Sequence, residues 1–212
     1  MNDRYILSTG SLCRWADGLA DRFRLLGPIL QKRGQTVFKQ VPDGGQLDLG
    51  YCRTMTSSRC FIYPAVQNLF TVDLATHTYT SADPGPRRTQ LIFAIHPCDM
   101  HAIAVLDRTF LGAFTDFYYA KMHAETCTVV LNCNQACDKG FCPSMGTGPF
   151  VRLKEGFDVV MTFLGDEYLL EPGFGEAPFS FNSLDGGDNT FVHTIRVAGK
   201  LKYNICVLVA YG

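Results

Sequence analysis

The chain has 212 residues, a formal net charge of −1, 47% hydrophobic residues and nine cysteines. That length is enough to bury one substantial core, and the near-neutral balance lacks the basic footprint that nucleic-acid binding leaves on a sequence. Residues 1–10 are polar, without the apolar centre of a secretory signal, and no apolar run approaches a membrane span, so a cytoplasmic location without a membrane span is expected. In a reducing compartment, clustered cysteines read as metal ligands and small buried hydrophobes rather than as disulfides.

In chain order, Leu12, Trp15, Leu19, Phe23 and Leu26 recur at three and four, which predicts an amphipathic helix from Ser11, as N-cap, to Leu26, stopped by Gly27-Pro28. Trp15 reads as a core anchor and the adjacent Cys13 as inert. From Pro28 to Leu74 the turn signals Gly34 and Pro42-Asp43-Gly44-Gly45 separate short β-rich pieces, among them Thr36–Val41 and Arg59–Tyr63. Cys52 and Cys60, eight apart with no turn chemistry to close them on a metal, read as packing residues. Asp83-Pro84-Gly85-Pro86-Arg87-Arg88 is a turn or linker, dividing an amino-terminal helix and strand region (1–82) from a chemical half (83–212).

Thr89 to Gly112 reads as strand, cysteine-bearing loop and helix, with Ile103, Leu106 and Phe110 on one helical face. Cys98 lies in that loop, Asp99 or His101 stands where a side chain caps the helix, and His96 and His101 are non-thiolate donors beside the cysteine. Phe117-Tyr118-Tyr119 and His123 lead into a second apolar run, Thr128–Leu131. Cys127 and Cys133 flank it, about 20 Å apart along a straight strand, too far to share one site.

The densest stretch follows, with the spacing Cys133-x3-Cys137-x4-Cys142 among Gly140, Gly146, Gly148, Pro143 and Pro149. Such a run is expected to be non-helical and to fold its backbone tightly around a bulky object. Four soft ligands suit an iron-sulfur cubane, with Cys98 as the donor from elsewhere in the chain. The spacing matches neither the common ferredoxin run nor a paired structural zinc motif, so a zinc site, a thiol-redox pair of Cys137 and Cys142, and buried reduced thiols all remain open on spacing alone. Gly146-Thr147-Gly148 lacks the lysine and the strand-to-helix context of a phosphate loop, and no hydrolase triad or paired zincin histidines occur. Phe157–Phe163 and Glu167–Glu171 read as a hairpin turning at Leu164-Gly165-Asp166. The tail carries the turn Asp185-Gly186-Gly187-Asp188-Asn189 and two strand-like runs, Thr194–Val197 and Asn204–Tyr211, the second with Cys206 read as buried.

Four segments in this order, HPCDMHAIAVLDRTFLG (96–112), VVLNCN (129–134), FCPSMGTGP (141–149) and GFDVVMTFLGDEYLLEPG (156–173), resemble the amino-terminal domain of the family of iron-sulfur electron-transfer subunits found in anaerobic sulfite reductase and in sulfhydrogenase, where the beta subunit is the member. The resemblance runs from about Tyr51 to about Gly175. It implies an electron carrier of cytoplasmic reductase or hydrogenase complexes, whose partners are the other components of the complex, including a ferredoxin-like or flavin subunit. The reading it favours is a [4Fe-4S] cluster held by Cys98, Cys133, Cys137 and Cys142, with no catalytic residue of its own; Asp99, beside its capping role, is a carboxylate able to stand in for a missing thiolate. Members read Cys-Phe-Cys where this chain has Gly140-Phe141-Cys142, and Cys137 is the substitute at hand. Members also continue into a ferredoxin-like domain with two four-cysteine runs, which this sequence does not contain. The fold expected is mixed α/β: a central sheet of short strands, flanking helices, and cluster-binding loops at strand ends.

Overall fold

Gln90–Ile95 (QLIFAI) and Thr126–Leu131 (TCTVVL) are the apolar runs that burial on both faces demands, and they pair in parallel at the centre of a seven-stranded sheet. The structure is a computed structural model that describes residues 4–81, 89–173, 190–195 and 205–210. In chain order the elements are β1 (Tyr5–Ser8), α1 (Thr9–Arg22), β2 (Arg24–Leu30), β3 (Thr36–Gln40), β4 (Phe70–Asp73), β5 (Thr78–Ser81), β6 (Gln90–Ile95), α2 (Pro97–Phe110), α3 (Phe117–Ala124), β7 (Thr126–Leu131), α4 (Cys142–Met145), β8 (Val159–Phe163), β9 (Glu167–Pro172), β10 (Thr190–Ile195) and β11 (Ile205–Ala210). The main sheet runs β1-β9-β8-β7-β6-β2-β3. Its middle four strands, β8, β7, β6 and β2, are mutually parallel, and β9, β1 and β3 add antiparallel flanks. The expected mixed α/β architecture is what the chain adopts. Strands from both sides of residue 82 share this one sheet.

Two apolar layers cover the sheet. On one face α1 lays Leu12, Trp15 and Leu19 over Leu25, Phe93, Val129 and Met161. Trp15 is 1% exposed and meets Phe93 edge-on, with ring centroids 5.3 Å apart. On the other face α2 and α3 set Met100, Ile103 and Tyr119 against Ile92, Ile95 and Val130, with Leu106 and Phe110 half-buried at the margin. The predicted apolar stripe of α2 is thus the stripe it buries.

Several local expectations are corrected. Helix α1 begins two residues before Ser11, with Ser8 as its cap: the Ser8 hydroxyl accepts from the Ser11 amide at 3.3 Å. It ends at Arg22, and Gly27-Pro28 lie inside β2 instead of stopping a helix. The apolar Leu25 and Leu26 that continued the helical spacing are strand residues, because the run Leu25–Ile29 is buried on both faces beside β6. Residues 58–61 form a single 3₁₀ turn rather than a strand, started by the Ser57 hydroxyl. The hairpin of β8 and β9 turns where expected. The tail strands β10 and β11 pair antiparallel, Thr190 opposite Ala210. The linker at 83–88, the turn at 185–189 and the side chain of Cys206 lie outside what is described. No helix among the described residues is long and apolar enough to cross a membrane.

Candidate metal centre

Parallel strands share a direction, so the segments that leave β6, β7 and β8 emerge on one edge of the sheet, the edge where open α/β sheets place their ligands. Cys98 follows β6. It is not in a loop: His96 alone separates the strand from α2, and Cys98 is the second residue of that helix. Cys133 follows β7, two residues beyond Leu131. Cys137 and Cys142 come from the excursion between β7 and β8. Contrary to the non-helical expectation, Cys142–Met145 makes one helical turn, opened by Pro143 in its first turn and closed by Gly146 at φ 68°.

The backbone of this excursion is pinned at its roots. The Cys133 amide donates to the Pro149 carbonyl at 3.0 Å, closing the excursion on itself. Asn132 accepts from the Val151 amide at 2.9 Å and donates to Thr162 at 2.9 Å, and Asn134 donates to the Phe163 carbonyl at 2.7 Å. Gly148 is packed against Cys142. A Cβ there would lie 3.2 Å from the Cys142 Cβ and 3.3 Å from its Sγ, so the glycine lets the chain close over that sulfur.

The thiols sense one another. Burial pushes the Cys133 thiol up to about 12, reinforced by the charges of Cys98, Cys137, Cys142 and Cys52. Cys137 also rises to about 12, through burial, a hydrogen bond with Cys52 and the charges of Cys52, Cys142 and Cys98. Cys98 is raised by burial of its sulfur, by Asp99 and by Cys142, although the residue as a whole is exposed. Four predicted cysteines therefore share a neighbourhood with a fifth. Cys52, expected to pack, is exposed and stands in this group, where its carbonyl accepts from the Cys137 Sγ at 3.1 Å. Cys60, the other cysteine expected to pack, is also exposed. Nothing in the local sequence around Cys52 announced its place, because a loop residue eighty-five positions from its partner leaves no periodic signal. Cys127 is buried in the core and Cys13 is half-buried with its thiol raised, in line with an inert role for each.

A cavity of about 490 Å³ opens at this edge, lined by Cys52, Cys133 and Cys137 together with Tyr51, His96 and Tyr168. Tyr51 and His96 stack face to face, 3.9 Å between ring centroids and 5° between planes. Burial brings His96 down to about 4, so its ring is neutral at neutral pH. The Tyr51 hydroxyl donates to the Ala94 carbonyl at 2.7 Å, at the point where β6 shifts register and Ala94 takes φ 59°.

Asp99 lies in the first turn of α2, whose N-cap is His96, and its carboxylate accepts from the Ser57 hydroxyl at 3.1 Å. Burial raises its pKa against the opposing pull of Ser57 and of Arg59, whose Nε in turn donates to Ser57 at 3.1 Å. Arg59 thus reaches the edge of the site through Ser57 and Asp99. Phe117-Tyr118-Tyr119 and His123 belong to the helical layer: Tyr119 donates to Asp107 at 2.6 Å, and its ring packs on Phe110 and Tyr63. Among the described residues no three histidine, cysteine or acidic side chains converge closely enough to grip a single metal ion.

The sheet edge and its thiols define a mixed α/β protein with a cysteine-rich centre at the carboxyl ends of parallel strands. No family model and no solved structure matches the chain. It is similar to Sulfhydrogenase 2 subunit beta of Pyrococcus furiosus, 27% identical over 152 residues, which cover 71% of this chain and 42% of that protein. The chain therefore spans less than half the length of the relative it matches, and the match supports a distant kinship with that family.

Proposed function

We propose that this chain is an electron-transfer subunit of a cytoplasmic reductase or hydrogenase complex, holding one [4Fe-4S] cluster through Cys98, Cys133, Cys142 and a fourth thiolate, Cys137 on the reading of the spacing. The observation that supports the proposal is the convergence of thiols from three remote segments on one sheet edge, where Cys52, Cys133 and Cys137 line one cavity and the thiols of Cys98, Cys133 and Cys137 are raised by burial and by neighbouring cysteines. When bound, a cubane supplies one-electron redox chemistry at a potential set by its ligands, amide hydrogen bonds and burial.

The residues around it have definite tasks. Cys133 and Cys137, at about 12 without metal, would give up protons as they ligate, so loading is coupled to proton release. Those raised values also disfavour a metal-free thiol-redox role, which needs a thiolate near neutral pH. The neutral His96 and the Tyr51 ring keep charge and water off the inner wall. Asp99, engaged by Ser57, remains a non-thiolate donor next to Cys98. Phe141, Met145 and Phe150 stand exposed beside Cys142, an apolar rim that fits a partner protein within electron-tunnelling reach. The catalytic centre and further carriers, including a ferredoxin-like or flavin subunit, belong in this reading to the partners.

Iron and acid-labile sulfide per chain, measured on anaerobically purified protein with visible and reduced-state EPR spectra, test the proposal. About four of each with a bleachable absorbance is the expected result. One zinc without iron would replace it with a structural site, and protein without metal would refute it.

A further inference from the structure

We infer that Cys52 is interchangeable with Cys137 as the fourth thiolate donor of the centre, an inference that rests on the electron-transfer reading above. A cubane has four ligand positions, and this edge of the sheet offers five thiols. Cys98, Cys133 and Cys142 are anchored by α2, by the end of β7 and by α4. Two cysteines compete for the remaining position: Cys52 and Cys137 line the same cavity as Cys133, and the Cys137 Sγ lies 3.1 Å from the Cys52 carbonyl oxygen.

The loop that carries Cys52 is built to hold it in place. Immediately before it, Tyr51 is buried, stacked on His96 and hydrogen-bonded to Ala94 at 2.7 Å. Just after it, the Met55 amide donates to the Thr36 carbonyl at 2.9 Å and the Thr56 hydroxyl accepts from the Phe38 amide at 3.0 Å. An exposed cysteine fixed on both sides against the sheet is a presented ligand, not a solvated loop residue. Cys137 has slighter support: Asn134, Gln135, Ala136, Asp138 and Lys139 around it are exposed, and its carbonyl accepts only the turn bond from Gly140 at 2.9 Å.

Gly140 explains why the choice falls between these two. The family resemblance sets a cysteine at this position, but here the glycine is folded onto Cys137. A Cβ at residue 140 would sit 3.0 Å from the Cys137 carbonyl oxygen and 3.3 Å from its Cβ. A side chain at 140 would press on Cys137, which therefore takes the place of the missing cysteine, and Cys52 shares its cavity.

The test compares iron, sulfide and EPR line shape in the full chain and in Cys52→Ser, Cys137→Ser and the double variant, each purified anaerobically, with circular dichroism as the check on folding. Each single variant is expected to keep iron near the unmodified level, the Cys137→Ser spectrum shifting as Cys52 takes over, while the double variant loses nearly all of its cluster. Loss of the cluster in either single variant alone would overturn the inference by naming one obligatory donor. Full iron in the double variant would overturn it by excluding both. Absence of iron from the unmodified chain is a separate result and would sink the electron-transfer reading itself.

Discussion

On the α1 face of the sheet, the side chains of Leu7, Leu12, Trp15 and Phe93 are sealed from water among apolar neighbours. At the carboxyl edge of β6 and β7, Cys133, Cys137 and Cys142 are only half-buried, and their segments are held by bonds such as Asn132 to Val151 and Cys133 to Pro149. The first region derives its stability from area removed from water, the second from hydrogen bonds that fix where a donor points. The contrast predicts that fold and thiol edge can be perturbed one at a time.

The sharpest break of this comparison is Cys133→Ser. Cys133 is the thiol whose neighbours include all four others, so this variant is expected to lose its iron almost completely. Its metal-free unfolding curve should stay within about 0.5 kcal/mol of the unmodified chain; a larger shift would mean that the edge supports the core. Trp15→Ala is the converse. Removing a fully buried indole is expected to cost about 3–5 kcal/mol in urea unfolding, with iron per folded chain unchanged.

Tyr51→Phe lies at the seam of the two regions and is expected to cost about 1–3 kcal/mol, because it strands the buried Ala94 carbonyl. It should also shift the EPR line shape by loosening the stack on His96; a stability loss with no spectral change would separate the seam from the centre. The smallest effect is expected at Asp107. Burial pushes its carboxyl up, but hydrogen bonds from His123 and Tyr119 outweigh this and hold it below the ordinary carboxylate value. A depressed folded pKa gives stability that is fully present above the unfolded value of about 3.9 and is lost as acid takes the pH down through the folded one. Asp107→Asn should therefore flatten the acid limb of the stability profile below about pH 4 while leaving iron content alone.

Much of the fold could be read from the chain. The runs at β6 and β7 announced buried strands because both faces must be apolar, though not their parallel pairing, and Leu164-Gly165-Asp166 announced the β8–β9 turn because its chemistry is local. Leu25 and Leu26 misled because an amphipathic spacing and a doubly buried strand share apolar residues over a short run, and only the pairing with β6 decides between them. At the centre, Cys98 and Cys133 were legible since each directly follows such a strand. Cys52 was not: its position depends on Tyr51 reaching Ala94, forty-three residues away, a contact with no trace in local pattern.

One pairing bears on how this molecule comes into being. Strand β1 has a single neighbour in the sheet, β9, with Tyr5 opposite Leu170. During synthesis β1 must wait, unpaired, until almost all of the described sheet has left the ribosome. Helix α1, tethered between this waiting strand and β2 on the far side of β6, β7 and β8, then closes over Phe93. Contacts of such long sequence separation form late and slowly, so docking of β1 is the natural final step of folding. The segments that carry Cys52, Cys98, Cys133, Cys137 and Cys142 all precede β9 in the chain, so they are already made when β1 finds its partner.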